Sequence, residues 1–520
     1  FSAIFSIPTY TILYDCGLTT AEIVSPDFAV TYSTDARLER ITAAWLAALT
    51  VLLFYLIVQR RLPALWSLLL SLVYALATFH YTVSSQGLWQ HGPAEFFILV
   101  AILFGDISIQ RKKASLAFWC SLALACVFFT RPQNFFITGV LGLYYFWQLR
   151  KIARGRLWFL AGPIVPGLLY LLVNLSVYHH PLGGYAHMIH LYYEGPAEAF
   201  SGDFWDGLGG LLVSPGRGLF LYSPVLLLSM VGIWRGRYEP AVWIYTFIIA
   251  FQIILYSNYL LWWGGLTYGP RFLMETIPFF MLLLAFAFEP AGSDKKTDRN
   301  NAQTTVDSEG SAAVTNPETR FYVSLWFRQA LLWSGLLSFL FQFAGIVNTA
   351  AFKRWNEFPH IDTFPDRVWD WSYPAFMAPL TPYRSLLTDT TRYSLAYYPT
   401  QGRIVRDARG MHGYLVEVNT AVTARIITAG LPVYLKTGDH RLRLHARLEH
   451  NRNLNIPLRV GVALSRNQKE LGRTHVELQS THGFTDTMIE IAVPEAGVYE
   501  ISFIPDEYPG TLTVDYLEFQ

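Results

Sequence analysis

Apolar stretches recur along residues 41–58, 64–83, 92–109, 114–130, 134–149, 157–177, 218–234, 240–260, 271–288 and 325–348, with polar or basic breaks between them. About 20 apolar residues cross the ~30 Å of a bilayer's hydrocarbon, so the pattern predicts about ten transmembrane helices. From residue 402 the period changes to two. YLVEV, RLRLHARL, LRVGVAL, MIEIAV, VYEISFI and TLTVDYLEF alternate apolar and polar residues between Gly, Pro, Asn and Asp turns. Strands of that length and spacing predict an antiparallel β-sandwich of jelly-roll type. The expected fold is a polytopic α-helical membrane protein with a C-terminal antiparallel β-sandwich, and no internal repeat is evident.

The breaks give the domain plan. Residues 1–40, interrupted by Pro8 and Pro26, read as an extracytoplasmic loop ahead of a transmembrane helical domain at 41–288. Residues 289–322 are polar and poor in aromatics, and such a stretch cannot bury enough apolar surface to offset its ordering entropy. A flexible cytoplasmic linker is expected there, followed by a last transmembrane helix at 323–348, an extracytoplasmic connector at 349–401 and the sandwich at 402–520.

Charge sets the orientation. Arg60 with Arg61, Arg111 to Lys113, Arg150 to Arg156, Arg235 with Arg237, and Lys295 to Arg299 follow every second apolar stretch. Cytoplasmic loops carry such basic residues, which puts residues 1–40 and everything after about 349 outside. A chain whose Phe1 lies outside needs something to carry it across, so at least one earlier span is expected upstream.

Composition supports the membrane class. Hydrophobic residues make up 52% and charged residues 15%, against about 25% charged in ordinary soluble domains. A formal net charge of +1 lacks the basic surplus of a nucleic-acid binder. The three cysteines, Cys16, Cys120 and Cys126, form neither a disulfide framework nor a metal-type spacing.

Once the basic clusters are assigned inside, Arg131 in FFTRPQNFF, Arg217 in VSPGRGLFLYSP and Arg271 in YGPRFLMETIP remain at outer helix mouths. An arginine costs roughly 3 kcal/mol at a helix centre in the bilayer and less towards its ends. Each of these has Pro or Gly beside it, which breaks the helix and exposes backbone N–H groups that favour anions. A guanidinium fork matches phosphate oxygens, so the set suits a lipid phosphate at the outer leaflet. The plainer reading is that they snorkel to headgroups or pair with nearby carboxylates.

The outer loops carry further polar residues. The loop at 178–217 holds His179, His180, His187, His190, Glu194, Asp203 and Asp206. His187 and His190 share a helical face at i, i+3, but no HExxH pattern accompanies them, and solvated or substrate-contacting roles compete with metal binding. In LWQHGPAEFF, His91 and Glu95 stand at i, i+4, where they reach each other and face either a cavity or a neighbouring helix.

WWGGLTYGPRFLMETIPF resembles the WWGG-x-x-YGPR stretch of bacterial polytopic glycosyltransferases of the GT-C superfamily. SPGRGLFLYSPVLLL and SQGLWQHGP resemble two further stretches of that family, and YHHPLGGY and RWNEFPHIDTFPDRVWDW are also similar to its segments. The likeness runs in order over roughly residues 40 to 375 and leaves out the sandwich.

The resemblance implies inverting transfer of a sugar from a polyprenyl-phosphate donor to an acceptor hydroxyl at the outer face of a bacterial inner membrane. The acceptor is a glycan, a lipid or a protein, and membrane lipids surround the site. By the same resemblance Arg271, Arg217 and Arg131 would hold the donor phosphate. Tyr268, Trp262, Trp263, Tyr222, His91, Glu95, His187 and His190 would line the substrate path, and Glu275 would orient or neutralise Arg271. A divalent metal is compatible, but nothing in the sequence demands one. The family's catalytic carboxylate sits in the first outer loop, where this chain offers Asp15, Asp27 and Asp35 in no diagnostic setting; the base is expected upstream of Phe1.

Two other classes compete. A transporter or flippase of a lipid-linked or anionic substrate predicts charges near the bilayer midplane and inverted repeats, and neither is evident. A non-catalytic membrane assembly protein draws its support from the sandwich and the missing base.

Overall fold

The computed structural model describes residues 5–15, 32–181, 183, 195–288, 324–357, 361–362, 365–371, 374–380, 392–394, 403–406, 414–419, 431–435, 438–450, 457–466, 469–479, 484–494, 497–505 and 510–519. The chain divides into two compact units. One is Phe1–Gly264 with Gly269–Phe343; the other is Gly265–Tyr268 with Ala344–Gln520.

The first unit is helical. In chain order, leaving single turns unlabelled, its helices are α1 (Ser6–Asp15), α2 (Tyr32–Val58), α3 (Ala64–Leu76), α4 (His91–Arg111), α5 (Ser115–Thr130), α6 (Phe135–Gln148), α7 (Gly155–Ala161), α8 (Ile164–Tyr178), α9 (Phe204–Val213), α10 (Ser229–Arg235), α11 (Pro240–Ser257), α12 (Ile277–Phe286) and α13 (Leu325–Val347). Among the described residues, Leu38–Val58, His91–Arg111, Gly155–Tyr178, Pro240–Ser257 and Leu325–Val347 are long and apolar enough to cross a membrane, as a multi-pass membrane protein requires.

The expected count of about ten spans is therefore not supported. Hydropathy along a window smooths over the breaks that decide helix length. The α3 helix stops at Leu76, and the chain rewinds into a π-turn at His80–Ser84. Helices α5 and α6 have 16 and 14 residues and meet at Pro132. The stretch 218–234 changes helix type at Pro224, while 271–288 opens with a 3-10 turn, Arg271–Thr276, and leaves only 10 residues for α12. Every residue of α12 is buried. A helix that is apolar all round belongs inside a core, and α12 forms the interior of this unit. A Cβ at Gly232 would lie 1.7 Å from Leu283 O, so α10 rests directly on the backbone of α12.

Among the described basic residues, Arg60, Arg61 and Arg235 gather at one end of the helices. Arg60 at the end of α2 bonds Gln110 near the end of α4. Arg61 lies over the Phe286 ring at 4.4 Å, and Arg235 Nη1 donates to Ala287 O at 2.6 Å. At the opposite end lie the start of α4, the end of α5, the start of α6 and the turn before α12. On the flank, α1 packs against α2, where Thr9 Oγ1 accepts from Thr42 Oγ1 and Trp45 Nε1 at 2.9 and 2.8 Å.

The second unit holds a short helix, α14 (Thr349–Glu357), and two antiparallel sheets. Strands β2 (Arg403–Arg406), β3 (Tyr414–Asn419), β10 (Gly510–Phe519), β5 (Gly438–His450) and β8 (Thr485–Val493) lie in that order, with β1 (Arg392–Ser394) also on β10. The other sheet runs β4 (Leu431–Leu435), β9 (Gly497–Pro505), β6 (Leu458–Arg466) and β7 (Lys469–Leu478). Alternation explains the burial: Leu442, Leu444, Ala446 and Leu448 face inward on β5, while the intervening Arg441, Arg443, His445 and Arg447 form the polar side. The β region begins at β1, within the stretch taken as connector, because three residues are too few to show a period. The linker 289–322 lies outside the described residues.

Candidate functional site

Three of the quoted sequence stretches meet at the end of the first unit away from the basic belt. Pro132 forces the residue before it out of the helical region, and Arg131 accordingly ends α5 in extended backbone at φ −149°. His91 opens α4, and Glu275 stands in the 3-10 turn that leads into α12. Arg131 Nη1 donates to both Glu275 oxygens, at 2.7 and 2.8 Å. Asn134 Nδ2 donates to Glu275 Oε1 at 3.4 Å, and His91 Nδ1 lies 3.1 Å from the same oxygen and 3.0 Å from Arg131 Nη1. One ring nitrogen serves only one of these at a time, as donor to the carboxylate or acceptor from the guanidinium. Arg131, Glu275 and His91 are all buried.

Arg271, four residues before Glu275, occupies a different setting. It is half-buried, and its guanidinium carbon lies 5.1 Å from the Trp89 ring centroid and 5.2 Å from that of Phe272. Phe272 also lies 5.8 Å from the Arg131 guanidinium and stacks on Tyr256 at 4.9 Å and 7°. Gly264, at φ +74°, brings the WWGG backbone against the Arg271 stem, where a Cβ would sit 3.1 Å from Cγ. A guanidinium between aromatic faces keeps its charge while its stem is desolvated.

One expected pairing comes out differently. His91 and Glu95 do not pair with each other, because the helix turns His91 towards Glu275 while Glu95 enters another cluster. Glu95 Oε2 accepts from Tyr74 Oη at 2.7 Å and faces His80 Nδ1 at 2.8 Å, and its Oε1 accepts from Ser84 Oγ at 2.6 Å. His80 Nε2 faces Ala47 O at 3.1 Å. A carbonyl only accepts, so the ring proton that faces Ala47 O is on Nε2. Glu275, expected to orient or neutralise Arg271, accepts from Arg131.

Arg217 is an internal tie rather than an arginine at an open mouth. It is 0% exposed, with Nε donating to Trp263 O and Nη1 to Gly216 O, both at 2.8 Å. Tyr222 Oη donates to Pro215 O at 2.8 Å within the same turn. Trp262 and Trp263 are buried as well; Trp262 Nε1 donates to Asp206 Oδ2 at 2.9 Å, and its ring fills the space that a Cβ at Gly210 would need. Tyr268 belongs to the second unit, where its ring meets Phe352 edge-on at 5.1 Å.

His187, His190 and Asp27 lie outside the described residues. Asp15 ends α1 and Asp35 lies in the first turns of α2. Among the described residues no group of three or more His, Cys, Asp or Glu is placed to hold a metal. Sequence reasoning missed Asn134 and Trp89 as members of the Arg131–Arg271 constellation, although TRPQN and LWQHG contain both. It also missed Arg367 of the second unit, which stacks over Trp355 at 4.6 Å and bonds its carbonyl at 2.6 Å.

No protein-family model matches the chain, and no curated protein matches it. Among solved structures it is similar to TmCBM61 in complex with β-1,4-galactotriose, at 13% identity over 24% of this chain and 90% of that one, with a TM-score of 0.15. It is also similar to BtGH115A, a family GH115 4-O-methyl-α-glucuronidase with specificity for decorated arabinogalactans. That match has 11% identity and a TM-score of 0.20, and covers 37% of this chain and 28% of that one. Likenesses this weak carry no argument about function.

Proposed function

We propose that this chain is a membrane glycosyltransferase that moves a sugar from a polyprenyl-phosphate donor to an acceptor hydroxyl on the extracytoplasmic side. The observation that carries the reading is the convergence of LWQHG, TRPQN and YGPR: Trp89, His91, Arg131, Arg271 and Glu275 come from distant parts of the sequence and share one helix end. The basic belt lies at the other end, which by the positive-inside rule is cytoplasmic, so the constellation faces outward. The second unit, whose two sheets we read as the faces of a jelly-roll-like sandwich, then lies in the periplasm of a bacterial inner-membrane protein.

In this reading Arg271 holds the donor phosphate between Trp89 and Phe272, and the Arg131–Glu275 pair fixes the floor beneath it. The acceptor oxygen attacks the anomeric carbon as that carbon's bond to the phosphate oxygen breaks. The acceptor proton passes to a carboxylate, and polyprenyl phosphate leaves against the Arg271 charge, which stabilises it as preorganised charge does elsewhere. The described residues do not identify that carboxylate.

The test is saturable binding of polyprenyl phosphate to the purified full chain in nanodiscs, followed through tryptophan fluorescence, since Trp89 lies beside Arg271. Binding that competes with a polyprenyl-phosphate hexose supports the reading. A chain that binds neither lipid sinks it.

A further inference from the structure

We infer that the buried oxygens around the Arg131 end of α5 form a recognition site for the hydroxyl groups of a sugar. The identity of the sugar as part of the lipid donor rests on the glycosyltransferase reading above; the hydroxyl chemistry stands on the residues themselves. Thr130 Oγ1, Gln133 Oε1, Asn134 Oδ1 and Gln252 Oε1 are buried oxygens without a hydrogen-bond partner among the described residues. Thr130, Asn134 and Gln252 are 5%, 0% and 1% exposed. A native fold rarely leaves such atoms unmet, and three of the four fall within residues 130–134. Thr130, Gln133 and Asn134 flank Arg131. Gln252 lies one turn before Tyr256 on the buried face of α11, and the Tyr256 ring is 5.8 Å from the Arg131 guanidinium.

The orientation of Asn134 is fixed by chemistry. A carboxylate paired with Arg131 only accepts, so the Asn134 nitrogen faces Glu275 and its Oδ1 is turned away from it. As placed, these four atoms are three amide oxygens and the Thr130 hydroxyl. A phosphate or carboxylate brings only acceptors and cannot satisfy them. Hydroxyl groups donate to all of them and can also accept from Thr130, which points to a neutral polyhydroxylated ligand. Phe272 lies between this group and the phosphate-holding arginine, 5.8 Å from the Arg131 guanidinium and 5.2 Å from that of Arg271. A sugar phosphate reaches across that ring, with its phosphate at Arg271 and its hydroxyls at the amides.

Thr130→Val and Gln252→Met remove an acceptor each while keeping shape, and neither residue bonds Glu275. The experiment measures binding of polyprenyl phosphate, with and without an attached hexose, to the full chain in nanodiscs. Loss of one hydrogen bond should weaken the sugar-bearing lipid about three- to tenfold in each variant. The sugarless lipid should bind unchanged, and the ligand-free melting temperature should hold or rise, because a same-shape apolar group relieves an unmet oxygen. Equal binding of the sugar-bearing lipid by wild type and both variants overturns the inference and leaves the donor-phosphate reading intact. A clear fall in the ligand-free melting temperature also overturns it, since the oxygens then serve the fold. If wild type binds neither lipid, the donor-phosphate reading fails and methyl hexosides decide. Thermal protection of wild type that both variants lose keeps the hydroxyl site, as the seat of an acceptor sugar, and no protection overturns it.

Discussion

Arg217 and Arg271 carry the same sequence signature, a lone arginine beside Gly or Pro at a helix mouth, and the fold uses them in opposite ways. Arg217 is fully buried and spends its guanidinium on the carbonyls of Trp263 and Gly216, joining the SPGRG turn to the WWGG turn. Arg271 keeps part of its surface exposed and lies against the rings of Trp89 and Phe272. A guanidinium that caps backbone carbonyls stabilises a turn, because it ties two chain segments through one side chain. One flanked by aromatic faces keeps a desolvated stem beside its charge. Arg131 stands between the two cases, since it is buried like Arg217 but faces a carboxylate. The flanking Gly and Pro therefore mark where the chain turns, and the partners decide whether the charge is structural or functional.

The comparison breaks most visibly at Arg131. Removing one member of a buried ion pair typically costs about 3–5 kcal/mol, because the other charge is left without compensation. Arg131→Met should accordingly lower the apparent melting temperature in detergent more than any other single arginine change, with His91 and Asn134 unable to neutralise Glu275. The double variant Arg131→Met/Glu275→Leu should recover much of that loss. A single variant as stable as wild type would show that the pair does not hold the floor of the site.

Arg217→Met comes next. It removes the Arg217 donor from the carbonyls of Trp263 and Gly216, for a loss of about 1–3 kcal/mol, read in the same melting experiment. Lipid affinity should fall only as far as the folded fraction does. A variant that stays folded and loses polyprenyl-phosphate binding would place Arg217 beside Arg271 as a ligand to the phosphate.

Much of this was legible in the sequence, and the parts that were not share a cause. The apolar stretches are helical where expected, and the period-two stretches are strands, because burial on one face leaves a periodic trace. Helix length is less legible: Pro132 and Pro224 cut apolar stretches that a hydropathy average joins, and α12 is apolar because it is interior rather than because it meets lipid. Pairing is least legible. His91 and Glu95 stand at helical spacing, yet each is turned to a different neighbour, Glu275 in one case and His80 with Tyr74 in the other. Partners that lie 184 residues apart, as His91 and Glu275 do, leave no local pattern.

The smallest effect on stability and the sharpest effect on binding should fall on the same residue. Arg271 lies against the rings of Trp89 and Phe272, and a cation–π contact at a partly exposed position is worth about 0.5–1 kcal/mol. Loss of those ring contacts alone should lower the stability of Arg271→Ala by about 1 kcal/mol. A phosphate held there as proposed makes a charge-assisted contact worth about 1.5–3 kcal/mol, so on that reading affinity for polyprenyl phosphate should fall tenfold or more. Arg271→Lys separates charge from shape: a lysine restores a point charge without the planar fork or the ring stacking, and should recover only part of the affinity. Full recovery would mean that charge alone is read, as at a headgroup layer, and the aromatic frame of Trp89 and Phe272 would lose its role. An Arg271→Ala chain that melts far below wild type would make Arg271 a second Arg217, and the distinction between the two arginines would collapse.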